Sequence, residues 1–382
     1  MRDAVIVEAV RTPVGKRDGG LSGVHPADLS ALVLRELAAR SGVDPGSVDD
    51  VIWGCVGQIG EQTFDIARTA VLSAGWPESV PGVTIDRQCG SSQQAVHFAA
   101  AGLVAGHYDL VAAGGVESMS RIPMGSTFAT GGNPFGGEGW AEHYDGVFPN
   151  QGTGAEMIAK QWQLSRTRLD EFAVTSHERA ARAQDDGRFD AQLVPVSAAA
   201  GPVVADEGVR RTSSVETLAG LKPAFEQDGV VTAGNASQIS DGAAALLLTT
   251  TENAAALGLT PLARVHSVAV VGSPPIIMLT GPIAATEKVL ARSGLELAQI
   301  GAFEVNEAFA SVPLAWLAEF DVDEKLVNPC GGAIALGHPL GASGARLMTT
   351  LVHHMRDNGI RYGLQTMCEG GGQANATILE LL

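Results

Sequence analysis

Apolar and polar positions alternate along DAVIVEAV at 3–10, the period of a half-buried strand. From Pro26 to Arg40 the spacing lengthens. Leu29, Leu32, Val33 and Leu37 fall on one helical face, and Gly42 supplies the stop. DDVIWGCV returns to strand, and a helix follows near Ile66–Ser73. Val83, Thr84 and Ile85 read as the end of another strand. From Gly90 the pattern is helical again, with Ala95, Val96, Ala99, Ala100, Leu103 and Val104 on one face. YDLVAAGGVES then reads as a buried strand ending in glycines. This alternation predicts a mostly parallel sheet covered by helices.

Residues 118–154 interrupt the rhythm with a Gly- and Pro-rich stretch too long for a simple connection. Its aromatic residues, Phe128, Phe135, Trp140, Tyr144 and Phe148, predict order. Helical spacing resumes from Ala155 to Gln184. Beyond LTTTENAAALGL the first pattern recurs. PLARVHSVAVVG matches DAVIVEAVRTPVG, IGAFEVNEAFAS matches DDVIWGCVGQ, and NPCGGAIALGHPLGASGARLMTTLV matches TIDRQCGSSQQAVHFAAAGLV. GLQTMCEGGG matches YDLVAAGGVES. Two similar halves with a long insertion between them is the architecture the pattern predicts.

Composition narrows the class. The 382 residues are 45% hydrophobic, as in a globular chain with a real core. No stretch is apolar and long enough to span a bilayer, and the start alternates like a strand and not like a signal peptide. A net charge of −17 argues against nucleic acid as a partner. It also requires a local basic patch for any anionic ligand, and Arg210-Arg211 is the candidate. Cys55, Cys89, Cys330 and Cys368 have neither zinc-ligand spacing nor the density of a disulfide scaffold, so a reducing cytoplasm is expected.

Candidate chemistry sits at strand ends and turns before helices. Cys89 lies where a strand gives way to a helix, a position whose free N–H groups and dipole favour a thiolate. A small buried hydrophobe is the alternative. His338, in a glycine-rich turn and followed by Pro339, is either a surface residue or a base for that thiol. Cys368 precedes Glu369 and a glycine run whose bare N–H groups suit an oxyanion, or merely a tight turn. Asn306 reads as a turn former or an oxyanion donor, and Glu307 as a solvated carboxylate. Cys55 and Cys330 read as structural, and His353-His354 as a solvated helix face.

DRQCGSSQQA, GGVES, NASQISDGAAA, NEAFAS, GGAIALGHPLGASGAR and CEGGG occur in one order over nearly the whole chain. Together they resemble the thiolase family. The resemblance implies a five-layer αβαβα sandwich of two βαβαβαβ halves with a loop domain inserted in the first. The expected boundaries are 1–117 with 239–261 for the first half, 118–238 for the loop domain and 262–382 for the second half. It also implies a ping-pong acyltransferase: thiolysis of a 3-ketoacyl-CoA to acetyl-CoA and a shortened acyl-CoA, or the reverse Claisen condensation. Cys89 would be the nucleophile, His338 its base, and Cys368 the acid/base at the α-carbon. Asn306 would hold a water that forms one oxyanion hole with His338, and the N–H groups of Cys89 and Gly370 would form the other.

Coenzyme A enters as a substrate, with no tightly bound cofactor and no metal. Arg210, Phe225 and Ser237 match positions that contact its adenine and pantetheine. A homodimer or homotetramer in the cytoplasm, without membrane contact, is implied. Cys330, Glu369 and Gln238 depart from the usual pattern. PNQGTGAE lacks the His-Met pair of short-chain enzymes, which points to longer or bulkier acyl groups, sterol side chains included. Two other readings compete: a non-catalytic CoA-ester-binding subunit and a condensing enzyme of the ketoacyl-synthase type. Retention of Cys89, Asn306 and His338 weighs against the first, and Cys368 weighs against both.

Overall fold

The computed structural model describes residues 2–129 and 132–382. The first lobe runs β1 (Val5–Arg11), β2 (Gly15–Lys16), α1 (Pro26–Ser41), β3 (Asp50–Gly54), α2 (Ile66–Ser73), β4 (Val83–Ile85), α3 (Ser91–Ala105) and β5 (Leu110–Ser118). α1 opens on Pro26, whose fixed φ suits a first turn. It closes on Gly42 at φ 72°, a left-handed cap that a Cβ would oppose.

The chain then leaves the sheet for residues 119–239. These hold α4 (Glu138–Tyr144), α5 (Gln151–Gln161), α6 (Arg166–Asp185), the ribbon of β6 (Val196–Ala198) and β7 (Gly201–Val203), and α7 (Val215–Ala219). β8 (Ser240–Thr249) returns to the first lobe, and α8 (Thr251–Leu257) leads out of it. The second lobe is β9 (Ala263–Gly272), α9 (Gly281–Ser293), β10 (Ala302–Val305), α10 (Ser311–Glu319), α11 (Ala333–Leu336), α12 (Leu340–Asn358), β11 (Tyr362–Glu369) and β12 (Gln373–Leu381).

The strands follow the order β10-β11-β12-β9-β1-β8-β5-β3-β4, with β2 beside β8. β1 and β9 meet over just two residue pairs, Val5 with Arg264 and Ile6 with Ala263, so the sheet is two halves joined at a short seam. Each half has the same order, β1-β8-β5-β3-β4 in one and β9-β12-β11-β10 in the other. A parallel bridge from Phe303 to Val327 stands beside β10 as β4 stands beside β3. The repeat in the sequence is therefore a repeat of topology. The sheet is mixed, however, and not mostly parallel. β8 pairs antiparallel with both β1 and β5, and β12 with both β9 and β11. A strand arriving from a long insertion, or from the glycine turn after β11, is free to run against its neighbours.

Five layers result. α1 and α2 cover one outer face over Val33, Leu34, Trp53 and Leu247. α9 and α10 cover the other over Phe303, Trp316, Leu364 and Ile378. α3 and α12 fill the space between the halves with Val96, Ala99, Met348 and Leu351. Their crossing is tight: a Cβ on Gly344 would lie 2.3 Å from the backbone N of Gln93. Gln93, Gln365 and Thr377 bond to one another in this middle layer. Gln93 Nε2 donates to Thr377 Oγ1 at 2.8 Å, and Gln365 Nε2 donates to Gln93 Oε1 at 2.9 Å.

The order expected of 118–154 is carried by its aromatics, apart from Thr130 and Gly131, which lie outside the described residues. Phe135 packs on Trp140 and Phe148, and Trp140 on Tyr144, with ring centroids 4.4–5.3 Å apart. Among the described residues no helix is long and apolar enough to cross a membrane.

Candidate active site

Four connections gather at the meeting of the halves: β4 to α3, β10 to α10, α11 to α12, and β11 to β12. The first carries Cys89. The residue before it, Gln88, has φ 47°, a left-handed conformation costing a non-glycine residue about 1 kcal/mol. Local bonds hold it. Gln88 N donates to Asp86 Oδ1 at 2.6 Å, Ser91 Oγ donates to Gln88 O at 2.6 Å, and Arg87 N donates to Ser91 Oγ at 2.9 Å. The sharp turn presents Cys89 just ahead of α3, where its thiol meets its own backbone N–H and that of Gly370.

The thiol is nonetheless not the pre-formed thiolate expected from its place at a helix start. Burial, with Glu369 acting in the same direction, pushes its pKa up to about 12. The two N–H groups pull the other way and do not prevail. Desolvation outweighs the helix end, so Cys89 rests as a neutral thiol that needs a base.

His338 is the candidate for that base. Its Nδ1 lies 2.5 Å from Ser343 Oγ, and that hydroxyl donates its own proton to Pro339 O at 2.8 Å. The Ser343 oxygen can therefore only accept from Nδ1–H. This fixes the tautomer and leaves Nε2 with a lone pair. Asn306 Nδ2 lies 3.4 Å from Nε2. Burial, helped by the Arg346 charge, pushes the imidazole pKa down to about 3, so His338 is neutral. Asn306 Oδ1 is buried and has no hydrogen-bond partner among the described residues.

Cys368 occupies the penultimate position of β11. Gly371 and Gly372, at φ 81° and 76°, then turn the chain into β12. Burial first, and then the proximity of Cys89 and Glu369, hold the Cys368 thiol well above its ordinary pKa. It belongs to an apolar cluster with Ala155, Ile158, Leu279 and Phe309. The structure thus brings Cys89, Cys368 and the Gly370 N–H to one place, and pairs His338 with Asn306.

Two carboxylates that brace these turns escaped the sequence. Glu117 is buried and accepts from Val56 N and Gly57 N at 3.0 Å, Gln62 Nε2 at 2.7 Å and Gly341 N at 2.9 Å. Glu307, expected in solvent, is buried as well. It accepts from Ser176 Oγ at 2.6 Å, Asn328 Nδ2 at 2.9 Å and Ile334 N at 3.1 Å. The only signal for either was a single carboxylate beside an otherwise apolar strand. His353 and His354 are not a solvated face either. His353 Nε2 sits 3.1 Å from Ala9 O, and His354 Nδ1 sits 3.9 Å from the buried Cys330 Sγ.

Of the residues matched to coenzyme A, Phe225 is 44% exposed and lies edge-on to Phe309, 5.9 Å between centroids. Its ring occupies the space a Cβ on Gly152 would need. Ser237 N donates to Ala308 O at 2.9 Å. Phe225 and Ser237 therefore flank the segment that follows Asn306. Arg210 is exposed. Its backbone N donates to His177 Nδ1 at 3.0 Å, and its guanidinium has no hydrogen bond or ion pair among the described residues. Arg211 is bound to Asp185 through two 2.8 Å contacts, so the expected two-arginine patch narrows to Arg210.

Known proteins resemble this chain along its whole length. Residues 4–252 match the family described as thiolase, N-terminal domain, and residues 259–381 the thiolase, C-terminal domain. The chain is 50% identical to steroid 3-ketoacyl-CoA thiolase FadA6 of Mycobacterium tuberculosis, over 100% of this chain and 95% of the relative. It is 43% identical to the 3-ketoacyl-CoA thiolase of Bacillus subtilis over the whole of both. The crystal structure of the Bacillus anthracis acetyl-CoA acetyltransferase superposes with a TM-score of 0.92 at 39% identity, covering 100% of this chain and 99% of the other. With both halves of its sequence matched and its layered fold shared, the chain belongs to the thiolase family.

Proposed function

We propose that this thiolase acts by a ping-pong mechanism through an acyl-Cys89 intermediate. His338 Nε2 takes the Cys89 proton as the sulfur attacks the 3-keto carbon of a 3-ketoacyl-CoA. Developing negative charge on the keto oxygen falls to the N–H groups of Cys89 and Gly370, which already meet the Cys89 sulfur. The C2–C3 bond then breaks, and its electron pair passes into the acetyl-CoA enolate. The protonated His338 and a water held by Asn306 stabilise that enolate's thioester oxygen. Cys368 donates its thiol proton to C2, and acetyl-CoA leaves. The Cys368 thiolate next takes the proton of an incoming CoA thiol. CoA attacks the acyl-Cys89 thioester, and the expelled Cys89 sulfur recovers its proton from His338. Condensation is the same sequence reversed.

The observation that carries this reading is the grouping of two neutral thiols with the Gly370 backbone N–H, in a chain that also holds a neutral histidine of fixed tautomer paired with Asn306. A non-catalytic CoA-ester-binding subunit would not need it, and a ketoacyl-synthase-type enzyme would lack the second thiol. Coenzyme A is read as a substrate held by Arg210, Phe225 and Ser237. All three lie in 118–238, taken as the loop domain between 1–117 with 239–261 and 262–382. The acyl group is read as long or bulky, in keeping with the PNQGTGAE segment and the steroid thiolase among the relatives. A homodimer or homotetramer in the cytoplasm completes the reading, and the four free cysteines suit a reducing compartment.

Labelled acetyl-CoA, an acid quench and peptide mapping test the mechanism. Label on the Cys89 peptide, absent in Cys89→Ala, is expected. Label on Cys55, Cys330 or Cys368 instead would overturn it. Thiolysis rates for acetoacetyl-CoA, a medium-chain 3-ketoacyl-CoA and a steroid-derived thioester test the acyl reading, which fails if acetoacetyl-CoA is the best of the three.

A further inference from the structure

The two halves of the fold brace each other's helices. Glu117, the eighth residue of β5, reaches out of the first half to the backbone N–H of Gly341 at the start of α12, the helix that follows His338. Glu369 is the eighth residue of β11, the strand that occupies the equivalent place in the second half. It reaches the other way. A Cβ built on Gly90 would fall 2.0 Å from Glu369 Oε1, so the carboxyl fills the side-chain space of the residue between Cys89 and α3.

The symmetry stops at hydrogen bonding. Glu117 accepts from four donors, whereas neither oxygen of Glu369 has a hydrogen-bond partner among the described residues, though the side chain is fully buried. Nearby, Asn375 Nδ2 donates to Gly90 O at 3.1 Å and Arg87 Nη1 donates to Gln373 Oε1 at 2.9 Å. Neither turns to Glu369. A buried carboxyl with no donors is a poor anion and a good neutral wedge.

We propose that Glu369 is a positioning residue for acyl transfer: packed as a neutral acid against Gly90, it holds the Cys89 turn, and its ionisation slows attack by Cys89. The charged and titratable groups that face it are Asp86 and Arg87 on the turn before α3, Cys89 itself, and Cys368 on its own strand. The adjoining residues of β12, Gln373 and Asn375, are uncharged. Burial raises the carboxyl pKa to about 8, with Arg87 opposing and Asp86 adding to the rise. Below that pH the wedge is neutral. Above it, a negative charge beside Cys89 opposes both the thiolate and the oxyanion at the Cys89 and Gly370 N–H groups. His338 feels Arg346 and not Glu369, so its basicity does not compensate.

The inference rests on Cys89 as nucleophile, and the test separates the two. Single-turnover transfer of labelled acetyl from acetyl-CoA to Cys89 is followed from about pH 6.5 to 9 in wild-type, Glu369→Gln, Glu369→Ala and Cys89→Ala proteins. Glutamine keeps the shape and cannot ionise. The ratio of the Glu369→Gln rate to the wild-type rate should rise about tenfold across this range, as one ionisation beside the nucleophile requires. A constant ratio overturns the inference. Glu369→Ala removes bulk as well as charge and should be slower than Glu369→Gln at every pH; equal rates overturn the wedge. Label retained by Cys89→Ala would instead sink the assignment of the nucleophile.

Discussion

His338 Nδ1 and Ser343 Oγ lie 2.5 Å apart, and the hydroxyl's only proton is committed to Pro339 O. One serine, a turn and a half along the same chain segment, therefore decides which imidazole nitrogen can act as a base. Ser343→Ala should lower kcat about 10- to 100-fold, because the base loses both its orientation and its preferred tautomer. The KM for CoA should change little. Steady-state thiolysis checks this, and an unchanged kcat would mean that His338 is oriented by other contacts.

Cys368→Ala separates the two halves of the reaction. Acyl transfer from acetyl-CoA to Cys89 removes no α-proton, whereas carbon–carbon bond formation does. The variant should trap labelled acetyl on Cys89 and make no acetoacetyl-CoA. Normal condensation in the variant would remove Cys368 from the mechanism.

Arg210 and Arg211 should behave differently although they are adjacent. Among the described residues the Arg210 guanidinium has no partner, whereas Arg211 is engaged by Asp185. A modest contact worth about 1–2 kcal/mol predicts that Arg210→Ala raises the KM for CoA roughly five- to thirtyfold with little effect on kcat. Arg211→Ala should shift it less than about threefold, as for an exposed ion pair. A pantetheine thioester lacking the nucleotide is the control. If Arg210→Ala slows both substrates equally, the residue supports the fold and not the nucleotide.

His97 gives the middle layer an acid-sensitive joint. Its ring is buried between α3 and β12, with Nε2 2.7 Å from Thr377 Oγ1 and Nδ1 without a partner among the described residues. Burial, helped by Arg87, pushes its pKa down from 6.5 to about 3. Between those values the unfolded chain binds a proton that the folded chain refuses, so this contribution to stability is lost as pH falls. Glu304 and Glu369, both raised to about 8, act oppositely and lose stability as pH rises above their unfolded values. The difference between His97→Gln and wild type isolates the histidine. From about pH 6 to 4 the stability of the variant should fall less steeply, by about 1.4 kcal/mol per pH unit. Denaturant titrations at several pH values measure it, and parallel slopes would refute it.

The turns that carry Cys89, Asn306, His338 and Cys368 were legible because a strand period breaking into glycines, and then a helix period, is a local signal. The repeat was legible for the same reason. What escaped was decided by partners distant in sequence. Nothing near Glu307 announces that Ser176 and Ile334 will surround it, and nothing near His353 announces the carbonyl of Ala9. The neutral state of Cys89 escaped because burial is a property of the assembled layers, whereas a helix start can be read from a dozen residues. The antiparallel course of β8 was hidden by the 121 residues of insertion, 119–239, that precede it.

The reciprocal reach of Glu117 and Glu369 bears on how such an enzyme can be engineered. Each lobe ends in a carboxyl group shaped to the helix start of the other, Glu117 to Gly341 and Glu369 to Gly90. Neither lobe is a transferable module. A chimera that joins the first half of this chain to the second half of a relative must keep both cross-lobe pairs matched, or it will misalign Cys89 against Gly370 even where each half folds well. Grafting is safer in the aromatic cluster between Phe128 and Phe148, which packs chiefly on itself.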